Sequence, residues 1–149
     1  MENGGQRPRV LFLWTGNSCR SQMAEGWTRH LKSKQIEAFS AGIEPRGVNP
    51  RAIRVMKDAG VDISGQRSKH VQELLDQSFD YVVTLCAEAR EGCPVFPSKT
   101  EHRHKGFEDP AAATGTEEEI LSVFRKVRDQ IRRFVETLPD SLEHVDERK

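Results

Sequence analysis

VLFLWTGNSCRSQMAEGW, residues 10–27, is the stretch that decides the fold. Val10-Leu11-Phe12-Leu13 is a continuous apolar run opening onto a Gly-containing loop, the pattern of a strand buried on both faces in a parallel sheet. From Arg20 toward Lys34, Met23, Ala24, Trp27 and Leu31 recur at helical spacing. Strand, loop and helix in direct succession put residues 14–19 at the carboxyl end of a first strand, where open α/β sheets bind ligands.

Outward from that unit, strands and helices keep alternating. Glu37-Ala38-Phe39-Ser40 is a short strand closed by Ala41-Gly42. Asn49 caps a second helix, Pro50 fits its first turn, and Ala52, Ile53 and Met56 line one face up to Gly60. Ser68 is the cap expected for a shorter helix carrying Val71, Leu74 and Leu75. Phe79 to Cys86 has the β-branched and aromatic content of a strand. Pro94-Val95-Phe96-Pro97 and His104-Lys105-Gly106-Phe107 are two further short-strand candidates. Thr116 and Glu119 form a capping box ahead of a stripe of Ile120, Phe124, Val127, Ile131 and Phe134. The expectation is a single α/β domain over residues 1–149 with a parallel sheet, residues 1–9 and 139–149 being loose ends.

Composition narrows the function. The chain has 149 residues with 23 Lys+Arg against 23 Asp+Glu, which argues against a basic nucleic-acid binder and an acidic tail protein. No apolar run approaches the ~20 residues of a membrane span. The opening Met1-Glu2-Asn3-Gly4-Gly5-Gln6 lacks the basic-then-apolar layout of a signal peptide. Three cysteines are too few for a disulfide scaffold and suit reactive thiols in a reducing compartment, so a cytoplasmic location is expected. The net charge of zero hides an asymmetry: residues 1–75 carry 12 Lys+Arg and 7 Asp+Glu, a balance that favours an anionic small ligand there.

The loop Thr15-Gly16-Asn17-Ser18-Cys19-Arg20 has the make-up of an oxyanion site. A Gly-containing turn that opens a helix aims backbone N–H groups at one point, and the helix dipole adds positive potential. Arg20 adds a planar fork matched to a tetrahedral oxyanion. The Gly-Lys-Ser/Thr ending of nucleotide loops is missing.

TGNSCRSQMAEGW, FSAGIEPRGVNPRAI (39–53), VVTLCAEAREGCPVFP (82–97) and GFEDPA (106–111) together resemble the thioredoxin-coupled arsenate reductases of the low-molecular-weight phosphotyrosine phosphatase superfamily. The resemblance implies a three-layer, flavodoxin-like fold with a four-stranded parallel sheet in the order 2-1-3-4. It implies a thiolate at position 14 attacking arsenic or phosphorus, held by the loop and Arg20, with the Ser21 hydroxyl supporting the thiolate and Asp109 as general acid. It further implies that Cys86 attacks the nucleophile's sulfur and releases arsenite. Cys93 then attacks Cys86, leaving an 86–93 disulfide for thioredoxin. No cofactor beyond that disulfide is implied.

The Cys86–Cys93 pair and the run Ala111-Ala112-Ala113, where phosphatases carry tyrosines, favour a reductase of a small oxyanion over a protein tyrosine phosphatase. Position 14 departs from the pattern: Trp14 stands where the nucleophilic cysteine belongs. Indole has no nucleophilic lone pair and only an N–H donor, so the chain as written lacks the first chemical step. Cys19 lies in the same loop, but the attack geometry is set for position 14. The Trp codon UGG is one base from the cysteine codons and from UGA, so a native cysteine or selenocysteine is expected at position 14. A non-catalytic oxyanion-binding paralogue is the alternative.

Some relatives hold potassium beside the loop. Asn17, Glu25 and Ser40 match three of its ligands, while the fourth falls at Lys69, whose ammonium would take the cation's place. Zinc on Cys86, Cys93, His102 and His104 is a further alternative, although the spacings are not usual zinc spacings. His102 and His104 are expected in a loop near Asp109, and His30, His70 and His144 facing solvent.

Overall fold

Strand β1 (Arg9–Leu13) occupies an inner position because its side chains are apolar on both faces. In the computed structural model, which describes residues 7–94, 96 and 99–144, it pairs in parallel with β2 (Glu37–Ala41) and with β3 (Tyr81–Thr84). Strand β4 (Glu101–His104) adds in parallel to β3, giving the order β2-β1-β3-β4 expected from the resemblance.

Side-chain alternation along β1 separates two cores. Val10 and Phe12 pack with α1 (Arg20–Leu31), α2 (Pro50–Asp58) and α4 (Glu117–Glu136) through Met23, Trp27, Met56, Phe124 and Ile131. Leu11 and Leu13 pack on the other face with Val71, Leu74, Phe79, Ala89 and Phe96. Ala89 belongs to the short helix α3 (Ala87–Gly92), so helices cover both faces.

Two helix starts form as their sequences dictate. The Asn49 side chain accepts from the N–H groups of Arg51 and Ala52 ahead of α2. Both arms of the Thr116–Glu119 capping box are made at α4.

Several expectations change. The short helix near Ser68 is a 3-10 turn, Val71–Leu74, capped by His70 Nδ1 accepting from the Gln72 N–H. His70 is therefore a structural cap and not a free surface histidine. His104 belongs to β4, not to a strand over 104–107, and His102 and His104 are strand residues rather than loop residues. The chain does not fray at Pro139: α5 (Asp140–His144) follows, and its Leu142 is fully buried. At the other end Arg9 is already strand, and Arg7 Nη1 donates to the Ser33 carbonyl at 2.6 Å. Residues 1–6 and 145–149, Val95 and Pro97 of the 94–97 strand expectation, and the His144 side chain lie outside the described residues.

Candidate active site

The carboxyl end of β1 and the start of α1 frame residues 14–19. Every carbonyl from Thr15 to Cys19 is tied to a partner. Thr15 O accepts from Glu44 N at 2.7 Å, Gly16 O from Arg46 N at 2.9 Å and Ser18 O from Asn49 N at 3.0 Å. Asn17 O accepts from Gln22 Nε2 at 3.0 Å, and Cys19 O from Met23 N at 2.9 Å within the helix. In a planar trans peptide the next N–H points opposite to its carbonyl, so the amides of residues 16–20 are turned away from these anchors. Together with the α1 N-terminus, that arrangement makes a nest for an anion.

Asn17 sits at φ +47°, a left-handed backbone that Asn tolerates better than most residues. Its side chain locks the turn, with Nδ2 donating to Ser21 Oγ at 2.8 Å and Oδ1 accepting from Lys69 N at 2.9 Å. Gly42 packs so closely beneath the loop that a Cβ would fall 2.7 Å from Thr15 O and 2.8 Å from Trp14 O. No side chain fits there.

Trp14 is 2% exposed, and the edge of its ring lies against Gly16, 3.2 Å from where a Cβ would stand. Its Nε1 is buried without a hydrogen-bond partner among the described residues. Arg20 lies over the indole, 4.4 Å from the ring centroid, and its Nη1 donates to Phe107 O at 2.7 Å. Arg20 Nη2 is 3.7 Å from Asp109 Oδ2, which brings the carboxylate to the loop. The other Asp109 oxygen accepts from Ala111 N at 3.0 Å and caps the turn Pro110–Ala112.

The three thiols are unequal. Cys19 is fully buried, and burial pushes its pKa up to about 12, the neighbouring Ser18 hydroxyl and Arg20 only partly offsetting it. Cys86 is the N-cap of α3: its sulfur accepts from Ala89 N at 3.4 Å and lies 3.4 Å from Thr15 Oγ1 of the loop. Cys93 closes the same helix, and burial pushes its thiol up to about 11. The six-residue helix between them, Ala87–Gly92, spans roughly 9 Å at about 1.5 Å rise per residue. That is beyond the ~4.4–6.8 Å between Cα atoms that a disulfide accepts.

Beside the loop, Ser40 Oγ donates to Glu25 Oε1 at 2.5 Å, and Glu25 Oε2 pairs with Arg29 at 2.8 Å. Lys69 Nζ donates to the carbonyls of Ser40 and Arg67 at 2.8 and 3.0 Å. Burial lowers the Lys69 pKa, against a raising effect of Glu25. The zinc alternative fares differently: His104 Nδ1 is engaged by Thr84 Oγ1 at 2.7 Å, while His102 Nδ1 is 4.0 Å from Cys93 Sγ. Among the described residues no group of three or more His, Cys, Asp or Glu side chains converges on a metal position.

Sequence reasoning missed Gln22, which is fully buried and ties Asn17 O to Arg67 O while accepting from Gln66. A Gln on the inner side of a helix beside Met23 was the available signal. It also missed Phe107 O as the anchor of Arg20, a backbone contact with no sequence signature.

The model of the low molecular weight phosphotyrosine protein phosphatase family matches residues 9–148. The arsenate reductase of Halalkalibacterium halodurans is 50% identical over 132 residues, 89% of this chain and 95% of that protein. That of Bacillus subtilis is 47% identical over 132 residues, 86% of this chain and 95% of its own. Among solved structures, an arsenate reductase in the intermediate state has a TM-score of 0.73 and 34% identity, covering 91% of this chain and 98% of its own. A low molecular weight protein tyrosine phosphatase from T. tengcongensis has a TM-score of 0.71 and 27% identity, covering 90% and 99%.

Proposed function

The chain belongs to the low molecular weight phosphotyrosine protein phosphatase family, and we propose that within it this protein is a reductase of arsenate to arsenite working through a cysteine relay. The observation that carries this reading is Cys86, whose sulfur touches Thr15 of the anion loop at 3.4 Å and sits one short helix away from Cys93. A phosphatase has no use for a second and third thiol so arranged. Relatives named arsenate reductase at 47–50% identity support the same choice.

In the proposed reaction the loop amides and Arg20 hold the oxyanion, and the residue at position 14 attacks it. Asp109, brought to the loop by Arg20, protonates the departing oxygen. Ser21, hydrogen-bonded to Asn17, supports the loop beside the nucleophile. Cys86 then attacks the position-14 sulfur, arsenite leaves, and Cys93 closes the 86–93 disulfide, which thioredoxin reduces in the cytoplasm. Closing it requires α3 to unwind, because its length holds the two sulfurs apart.

With Trp14 the first step is missing. The indole N–H, without a partner among the described residues, supports reading position 14 as a place shaped for a smaller residue, a cysteine or selenocysteine, since a buried unsatisfied donor costs about 1–3 kcal/mol. Lys69 takes the place of a potassium ion beside Asn17, Glu25 and Ser40. The test is Trp14→Cys, assayed for thioredoxin-linked arsenate reduction and for p-nitrophenyl phosphate hydrolysis. Reduction that Cys86→Ser abolishes, with hydrolysis retained, is the expected result. Hydrolysis without reduction would make the chain a phosphatase, and arsenate binding with neither activity would make it a binder. The codon itself is checked in genomic DNA, where a plain UGG would remove the cysteine or selenocysteine reading.

A further inference from the structure

Cys93 ends α3 and His102 is the second residue of β4, and the two meet on the sheet face covered by α3. His102 Nδ1 is 4.0 Å from Cys93 Sγ, whose thiol donates to Pro94 O at 3.5 Å. The imidazole is steadied by Phe96, the ring centroids 6.1 Å apart. The charged neighbours on β4 are directed elsewhere. Glu101 and Arg103 alternate to the opposite face, where they pair at 3.4 Å and Arg103 Nε donates to Leu142 O. Arg90, in the last turn of α3, acts on His104, whose pKa is lowered first by burial and then by that guanidinium.

A thiol that burial holds near 11 is almost wholly protonated at neutral pH, so its use as a nucleophile calls for a proton acceptor within reach. A neutral imidazole with the proton on Nε2 presents Nδ1 as that acceptor.

We propose that His102 is the general base of Cys93, taking the thiol proton on Nδ1 as Cys93 attacks the sulfur of Cys86. The assignment rests on the relay reading for the use made of Cys93. In the step, Cys86 enters as a mixed disulfide with a second thiol. The Cys93 thiolate forms the 86–93 bond, the older S–S bond breaks, and the departing thiolate recovers the proton from the imidazolium. The Cys86 sulfur keeps the disulfide oxidation level it entered with; the Cys93 sulfur is oxidised from thiol to disulfide level, and the departing sulfur is reduced from disulfide to thiol level by the same amount.

The test uses the full chain with Trp14 in place, because neither arsenate nor position 14 is needed. Cys93 is alkylated with iodoacetamide across the neutral range and its rate read by peptide mass mapping. The expected profile has Cys93 reacting already at neutral pH, well below the value near 11 to which burial pushes its thiol. In His102→Gln and His102→Asn the neutral-pH rate falls at least about tenfold, while the Cys86 rate is unchanged. Buried Cys19 reports the fold: if it is alkylated in a variant, that variant is unfolded and the wild-type profile alone decides. A wild-type rate that climbs only near the thiol's own high pKa overturns the proposal, as do folded variants that react at the wild-type rate. A Trp14→Cys chain that fails to reduce arsenate would reject the relay without touching this readout.

Discussion

The guanidinium of Arg20 is stacked over the indole of Trp14 at 4.4 Å, with Nη1 committed to the carbonyl of Phe107. The group proposed to grip the oxyanion thus faces an aromatic ring. Trp14→Ser opens the cradle without supplying a nucleophile, so arsenate or phosphate should bind at least about tenfold more tightly than to the Trp14 chain, with no turnover. In the Trp14→Cys background, Arg20→Lys should lose about 1.5–3 kcal/mol of that binding, because an ammonium cannot reproduce the fork. Isothermal titration reads both.

Gly42→Ala places a methyl on the backbone oxygens of Thr15 and Trp14, which cannot rotate away. The substitution should destabilise the chain by about 1–3 kcal/mol. In Trp14→Cys it should also weaken oxyanion binding. Thermal unfolding and titration check the two effects.

Thiol reactivity should follow the order Cys86, Cys93, Cys19. Cys19 stays a thiol until the pH nears about 12, so alkylation at mildly alkaline pH leaves it untouched in the folded chain and reaches it only on unfolding. Timed alkylation with peptide mapping gives the order; early labelling of Cys19 would contradict it.

Oxidation of Cys86 with Cys93 should melt α3. The amides of Arg90 and its neighbours, protected through the Arg90 N–H to Cys86 O bond of 3.1 Å, should exchange much faster in the oxidised chain. Unchanged protection would mean that the disulfide does not form.

On the proposed reading of Lys69 as the stand-in for a cation, replacing potassium by sodium should change the activity of Trp14→Cys less than about twofold. Lys69→Asp should introduce a potassium requirement. Burial lowers the Lys69 pKa below 10.5, so the unfolded chain holds that proton to higher pH than the folded one. The contribution of Lys69 to stability therefore rises with pH through the alkaline window between the two values. Comparing pH–melting curves of the chain and Lys69→Met checks the sign.

What the sequence disclosed, it disclosed where local and tertiary signals agree. The apolar run of β1, the Asn49 cap and the Thr116–Glu119 box each state in a few residues what the fold does with them. Strand β4 was hidden because Glu101-His102-Arg103-His104 carries no apolar side chain: among the described residues it is an edge, paired to β3 alone. Helix α3, Ala87–Gly92, is too short to show a period, and among the described side chains α5 buries only Leu142 in full. At the site, residue types were legible and their partners were not. Nothing local announces that Gln22 reaches Asn17 O, or that Phe107 lends its carbonyl to Arg20.

The outward-tied carbonyls of Thr15, Gly16 and Ser18 have a consequence for how this protein can change. Their anchors are Glu44, Arg46 and Asn49, some thirty residues downstream, so the loop's curvature is inherited from a segment outside it. None of these anchors involves the side chain at position 14. Under the proposed relay, a change of that one codon silences or restores the enzyme while the tethered loop around it persists.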